Sequence, residues 1–121
     1  MTAVDHIRPA STRVAIARLA EEVVGRTVGV SATRGRGRWL TADGERTIDG
    51  VVVGQTAAGA TDVDLHLIAE WPARPLPPLA DQLRWELRAD AASAGLGDHL
   101  GEIEVSVHDF KLPGEGGEEG S

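Results

Sequence analysis

The sequence predicts one α+β domain in which two helices cover one face of a three-stranded mixed sheet. Three observations predict it. Two stretches place apolar residues at helical spacing, two others alternate apolar and polar residues as strands do, and one further run is rich in β-branched residues. The predicted order is helix, strand, strand, helix, strand. At 121 residues the chain has the size of a single domain.

We assign the domain to residues 11–112. Residues 1–10 are predicted to form an irregular arm that ends in Arg-Pro-Ala, and residues 113–121 form a tail of glycine and glutamate. The tail has no large apolar residue to bury, and it is therefore expected to be disordered.

The first helix is predicted to begin after an N-cap at Ser11 or Thr12 and to end near Gly25. The second is predicted to follow "WPARPLPP", residues 71–78, because a link with four prolines continues neither a strand nor a helix. Trp85 lies outside the apolar stripe of this second helix. The stripes predict the helical part of the core, which is Ile16, Leu19, Ala20, Val23 and Val24 in the first helix and Leu79, Ala80, Leu83, Leu87, Ala91 and Ala94 in the second.

Three strands are predicted, at "TIDGVVVGQ" (47–55), "TDVDLHLIAEW" (61–71) and "EIEVSVHDF" (102–110). The short connection at 57–60 favours a hairpin of the first two strands. The helix that precedes the third strand predicts a right-handed crossover, which makes the third strand parallel to the second. The sequence leaves open whether the third strand lies beside the first or the second. The pair Asp43-Gly44 predicts a turn, and "RWL" (38–40) before it is predicted to form a short strand.

The net charge of −7 is unevenly distributed. Residues 1–46 hold 8 arginines and 5 acids, a net of +3, and the remainder has a net of −10. The chain has no cysteine, which excludes disulfides, thiolate metal ligands and cysteine nucleophiles. Its uncharged stretch at 50–61 has 12 residues, fewer than the ~20 that cross a bilayer as a helix. We therefore expect a soluble protein that does not insert into a membrane, so that any membrane association would come through a partner. The absence of cysteine is compatible with a reducing cytoplasm.

Three segments resemble the alkaline shock protein family, the envelope stress response proteins of Gram-positive bacteria. They are "VAIARLAEEVVGRTVGV" (14–30), similar to the family's first helix and its exit, the alternating strand "DVDLHLIAEW" (62–71), and "LADQLRWELRADAASAGLGDHLGEIEVSVHDF" (79–110), similar to the family's second helix, glycine break and final strand. The resemblance implies a non-enzymatic cytoplasmic protein that self-associates. It also implies docking to a membrane-anchored protein of a related family.

The segment "TRGRGRWL", residues 33–40, alternates three arginines with glycines and ends beside a tryptophan. Arg34, Arg36 and Arg38 could contact phosphates while Trp39 stacks on a base. This is the alternative function, a small nucleic-acid-binding α+β domain that uses loop 33–39. A net acidic chain repels phosphates at long range, so only this local patch could bind nucleic acid. A solvated loop, or a basic loop that meets an acidic face of another protein, explains the same pattern.

Catalytic and metal-binding patterns are missing from the sequence. His66 and His108 are predicted on the outward face of their strands, near Asp64 and Glu104. A metal site needs three or four converging ligands, so we expect two solvated histidines and no metal. The serines lie outside any nucleophile-elbow pattern, and "GRGRW" matches neither a P-loop nor a dinucleotide fingerprint. We therefore expect no catalytic residue, no cofactor and no enzymatic activity.

The outward face of the predicted sheet favours association. Ile68 and Phe110 are predicted to lie there beside His66 and His108. Exposed apolar residues on an open face, together with unpaired sheet edges, are typical of an association surface. Scattered apolar residues are also common on ordinary surfaces, and between these two interpretations the resemblance to the alkaline shock protein family favours association. The predicted contact residues, toward another copy of this chain, a membrane-anchored partner or nucleic acid, are Arg34, Arg36, Arg38, Trp39, Ile68 and Phe110.

Overall fold

The computed structural model describes residues 8–33, 39–44, 46–70 and 75–111, with side chains from Thr12 onward. The predicted α+β class is confirmed, although the strands divide into a four-stranded sheet and a separate two-stranded sheet. In chain order the elements of the described residues are α1 (Arg8–Arg26), β1 (Val30–Ala32), β2 (Leu40–Asp43), β3 (Arg46–Asp49), β4 (Val51–Gln55), β5 (Thr61–Glu70), α2 (Leu76–Ser93), a 3₁₀ turn (Gly97–His99) and β6 (Leu100–Lys111).

β5 is the central strand of the larger sheet. β6 pairs with it in parallel along one side. On its other side, β4 pairs antiparallel with residues 61–65 and β1 pairs antiparallel with residues 67–69. The sheet is therefore three strands wide, and one outer position is shared by two short strands. The predicted hairpin and the predicted parallel third strand are both confirmed, and the third strand lies beside the second.

The predicted strand at 47–55 is broken at Gly50, so the prediction of one continuous strand is wrong, although the residues on either side of Gly50 form strands. Gly50 has a φ of 77°, a conformation that favours glycine. The break separates β4 from β3, which pairs antiparallel with β2 in the smaller sheet. The predicted turn at Asp43-Gly44 is confirmed, with Gly44 at a φ of 65°. The short strand predicted at 38–40 is displaced toward the turn, since β2 shares only Leu40 with it, and Arg38 lies outside the described residues. The sequence does not predict β1, because its three residues are too few to show an alternation of apolar and polar side chains.

Both helices begin earlier than their sequence signals predict. α1 begins at Arg8 and so includes residues 8–10, which the sequence assigns to the irregular arm. α2 begins at Leu76 and includes Pro77 and Pro78, which the sequence assigns to the link. The physical reason is the same in both helices. The N–H groups of a first helical turn have no intrahelical acceptor, so a proline there loses no hydrogen bond and the helix can include it. The tail at 113–121 lies outside the described residues.

The core lies between the two helices and one face of the larger sheet. The predicted stripes are confirmed at their centres, and Leu83 and Leu87 are fully buried. At the margins Leu19 and Ala80 are half-buried, and Ala94 is exposed because it follows the end of α2. Trp85 is 71% exposed, which confirms its place outside the stripe.

Candidate functional site

The two faces of β5 have different environments. Val63, Leu65, Leu67 and Ala69 are at most 1% exposed and face the helices. The alternate residues, Asp62, Asp64, His66 and Ile68, are half-buried on the opposite face. We call this opposite side of the larger sheet the open face. It is the first part of the candidate site, because its side chains are available for contacts outside the domain.

A histidine pair lies at the centre of the open face. The Nδ1 atom of His66 and the Nε2 atom of His108 are 2.8 Å apart. Trp39 stacks on both rings, with ring centroids 4.9 Å from His66 and 4.2 Å from His108. The register pairs His66 with Ser106, so His108 approaches His66 diagonally from the adjacent strand. The aromatic cluster of Trp39, His66 and His108 joins residues from two strands and from the segment before β2.

Gly50 positions this cluster through the backbone. Its carbonyl accepts from the N–H of His66 at 2.8 Å, and its own N–H donates to the carbonyl of Trp39 at 2.7 Å. A Cβ at this position would lie 2.8 Å from the Cβ of Ala32 and 2.9 Å from the carbonyl oxygen of His66. Only glycine fits here, because the φ is positive and the space is filled. Sequence reasoning missed this residue, since the strand break that reveals it depends on the distant Ala32.

The histidine pair is electrostatically coupled. Burial lowers the pKa of His66, and the nearby His108 lowers it further, while Asp64 acts in the opposite direction. Between neutral rings one nitrogen donates and the other accepts, and protonation of both rings removes the acceptor. The contact between His66 and His108 therefore requires at least one neutral ring, and the lowered pKa of His66 favours a neutral ring at that position.

Asp62, also on the open face, has a structural role. Its Oδ1 atom accepts from the N–H of Glu102 at 2.8 Å, where the register between β5 and β6 shifts. A Cβ on Gly101 would overlap that same carboxylate oxygen. Asp62 therefore satisfies the backbone at a β-bulge, and this explains why a carboxylate stands at the beginning of β5.

The open face contains some of the predicted contact residues. Trp39 and Ile68 both belong to it, and Ile68 is in register with Ser31 on one side and Asp109 on the other. Arg34, Arg36 and Arg38 lie outside the described residues.

The predicted position of Phe110 on this face is wrong. Phe110 is 45% exposed, but the register pairs it with Ala69, a residue of the covered face. The physical reason is a second register shift, between Leu67 and Ile68. The extra residue that a bulge adds to one strand reverses the alternation of faces after it.

Ion pairs neutralise part of the basic half of the chain. Arg18 donates Nε and Nη2 to the two carboxylate oxygens of Asp43, at 2.9 and 2.8 Å, and this contact holds the pKa of Asp43 below its usual value. Arg46 joins Glu21 and Asp43. These pairs fasten the β2–β3 hairpin to α1. Likewise, Arg26 of α1 pairs with acids of α2, which are Glu86 and Asp90.

β6 forms the second part of the candidate site, because within the described residues it pairs with β5 alone. Two arginines of α2 cover the first part of its outer edge. Arg84 donates Nε to the carbonyl of Ile103 at 3.0 Å, and Arg88 donates Nη2 to the carbonyl of Gly101 at 2.9 Å. The edge beyond Ile103 carries no such arginine among the described residues.

A cleft of about 230 Å³ lies between α2 and the covered face of the larger sheet. Sequence reasoning did not predict it. Its lining is aliphatic and offers no group for acid–base chemistry. The lining residues are Val30, Leu67, Leu76, Leu79, Ala80, Leu83, Val105 and Val107.

No family model, no curated protein and no solved structure matches this chain. In the described part of the chain, no three histidine, aspartate or glutamate side chains converge as metal ligands would. Neither described helix combines the length and the hydropathy that crossing a bilayer requires.

Proposed function

We propose that this chain is a non-catalytic interaction protein of the envelope stress response type. It acts in the cytoplasm by self-association and by docking to a membrane-anchored partner protein, and it needs no cofactor. The observation that carries the proposal is the unequal covering of the larger sheet. Two helices cover one face, while the opposite face presents Ile68 and the aromatic cluster at its surface.

The composition of the open face supports protein contacts. Apolar and aromatic side chains stand next to carboxylates and imidazoles, as in the core and rim of protein interfaces. Ile68 is half-buried although neither described helix packs on the open face. A partner that buried it fully would add transfer free energy.

The open face supports the alternative, nucleic-acid binding through loop 33–39, less well than it supports protein contacts. Asp64 and Glu104 are register partners beside the aromatic cluster, and adjacent carboxylates repel a phosphate backbone. The ring of Trp39 is already stacked on His108, at 4.2 Å between centroids. A filter-binding titration with single-stranded and duplex probes at ~0.1 M salt, where distant surface charges are screened, tests it directly. Saturable binding there would favour the alternative.

Light scattering after size-exclusion chromatography tests self-association. We expect the mass to rise above 12.7 kDa as the protein concentration increases. The variant Ile68→Asp is expected to weaken association about tenfold or more, because ~1.4 kcal/mol suffices for that change and a buried carboxylate costs at least as much. Trp85→Ser, on an exposed helical position far from the open face, is the matched control. A monomer at every concentration and salt would contradict the proposal.

Docking to a membrane-anchored partner is tested by cell fractionation. In a Gram-positive host, the tagged chain is expected to sediment with membranes, and Ile68→Asp is expected to move to the supernatant. Trp85→Ser again controls for general effects of the substitution. Equal distribution of all three proteins would contradict docking through the open face.

A further inference from the structure

We propose that two copies of this chain associate by antiparallel pairing of β6 with β6, centred on Ser106. The inference rests on the proposed self-association and adds to the open face a second contact surface, the outer edge of β6, with a defined register. Pairing of this kind would extend the four-stranded sheet across both copies.

The hydrogen bonds of His66 establish which way the backbone groups of β5 point. Its N–H donates to the carbonyl of Gly50, and its carbonyl accepts from the N–H of Thr33 at 3.1 Å. Both groups therefore point away from β6. Because successive residues of a strand alternate in direction, the N–H and C=O of Leu65 and Leu67 point toward β6.

The same alternation decides which groups of β6 are unused. In a parallel ladder, a residue bonds to the two neighbours of its register partner and not to the partner itself. The register partners of Leu65 and Leu67 are Val105 and Val107. The N–H and C=O groups of Val105 and Val107 therefore point away from β5, toward the outer edge of the sheet.

Side chains cover this edge on both sides of the two valines. On the N-terminal side of the two valines, the carbonyl of Ile103 also points away from β5, and it accepts from Arg84. After them, the N–H of Phe110 donates to the carboxylate of Asp109 at 2.8 Å. Within the described residues, no side chain bonds to the backbone of Val105 or Val107. The uncovered edge is thus one short piece between a capped beginning and a capped end.

This piece is self-complementary. When Val105 of one copy lies opposite Val107 of a second copy, the two N–H and two C=O groups of each copy form four hydrogen bonds. The twofold axis then passes between the two Ser106 residues, as a symmetric dimer requires. A register shifted by two residues in one direction would use the carbonyl of Ile103, which is already bonded to Arg84. A shift in the other direction would place Val105 opposite Asp109, which lies beyond the bulge at His108.

The charges on the open face agree with this register. Glu104 of one copy would lie opposite His108 of the second. Within its own sheet Glu104 is beside Asp64, a like charge that destabilises a cross-strand pair. The imidazole of His108 in a second copy can donate a ring N–H to this carboxylate. On the covered face, the half-buried Val105 of one copy would contact the half-buried Val107 of the second.

A single cysteine tests the register, because the chain contains none. In the proposed dimer the two Ser106 residues form a non-hydrogen-bonded pair, with Cα atoms about 4.5 Å apart, within the range that a disulfide spans. Under mild oxidation Ser106→Cys is expected to run as a covalent dimer on a non-reducing gel. Ser93→Cys, exposed at the end of α2, is the matched control and is expected to stay largely monomeric.

A proline provides the second test, without dependence on oxidation. Val107→Pro removes an N–H that points to the edge, where strands tolerate proline. It is expected to keep the circular dichroism spectrum of the fold and to weaken dimerisation about tenfold, for which the loss of ~1.4 kcal/mol suffices. Ser106→Pro, whose N–H points to β5, is expected to lose the fold as well.

The outcomes separate this inference from the proposed function. A dimer in light scattering that shows no preference for cross-linking at position 106, or that persists in Val107→Pro, would overturn the β6 pairing and leave self-association standing. A chain that is monomeric at every concentration would overturn both.

Discussion

The covered and the open face of β5 have different environments, although they alternate along ten consecutive residues. Leu65 and Leu67 on the covered face are at most 1% exposed, and their neighbours His66 and Ile68 are only half-buried. The comparison teaches that one strand can supply both the core and a candidate contact surface. Stability is therefore expected to depend on the odd-numbered positions of β5, and the proposed association on the even-numbered ones.

The largest effect is expected on the covered face. Leu65→Ala removes a fully buried side chain between the helices and the sheet, and it is expected to lower the free energy of unfolding by ~2–5 kcal/mol. Urea denaturation followed by circular dichroism measures the loss. Ile68→Ala on the open face is the matched control, and its loss is expected to be clearly smaller. Equal losses would break the comparison between the two faces.

A smaller effect is expected at the point where the open face is assembled. Gly50→Ala places a Cβ against Ala32 and the His66 carbonyl at a positive φ, and strain of this kind costs ~1–3 kcal/mol. Gly54→Ala, where a Cβ meets nothing within 4 Å and the φ is not positive, is the control in the next strand. Urea midpoints of the two variants compare them. A Gly50→Ala protein as stable as Gly54→Ala would show that the close approach is not needed.

The smallest effect is expected from the titration of His66. Because its pKa is lowered in the folded state, the unfolded chain binds more protons between the folded pKa and the ordinary value near 6.5. Stability is therefore expected to fall as the pH drops through this window, and to be constant above it. Urea midpoints between about pH 5 and pH 8, a range that spans the ordinary histidine pKa, measure the dependence.

His66→Gln is expected to make this pH dependence shallower. Ser106→Ala, which alters the register partner of His66 without removing a titrating group, is the control and is expected to keep the wild-type slope. If His66→Gln and the wild type have the same slope, the open face does not contain the coupled pair that the structure describes.

Much of the fold can be predicted from sequence because its signals are local. The stripe from Ile16 to Val24 and the alternation from Val63 to Leu67 each describe one element and the face that it buries. The candidate site is less predictable, since its parts come from different strands. His66 and His108 could be assigned to one face by alternation, but their contact and the stacking of Trp39 depend on the pairing of β5 with β6 and on the turn at Gly50.

The sequence by itself determined the α+β class, the two helical stripes and the alternation of β5, because helical and strand periodicities are properties of a few neighbouring residues. Only the tertiary structure decided that the strand 47–55 breaks at Gly50. It also decided that a bulge places Phe110 on the same face as Ala69, and that arginines of α2 cover part of the β6 edge. Each of these depends on atoms that are distant along the chain, and local periodicity contains no information about them.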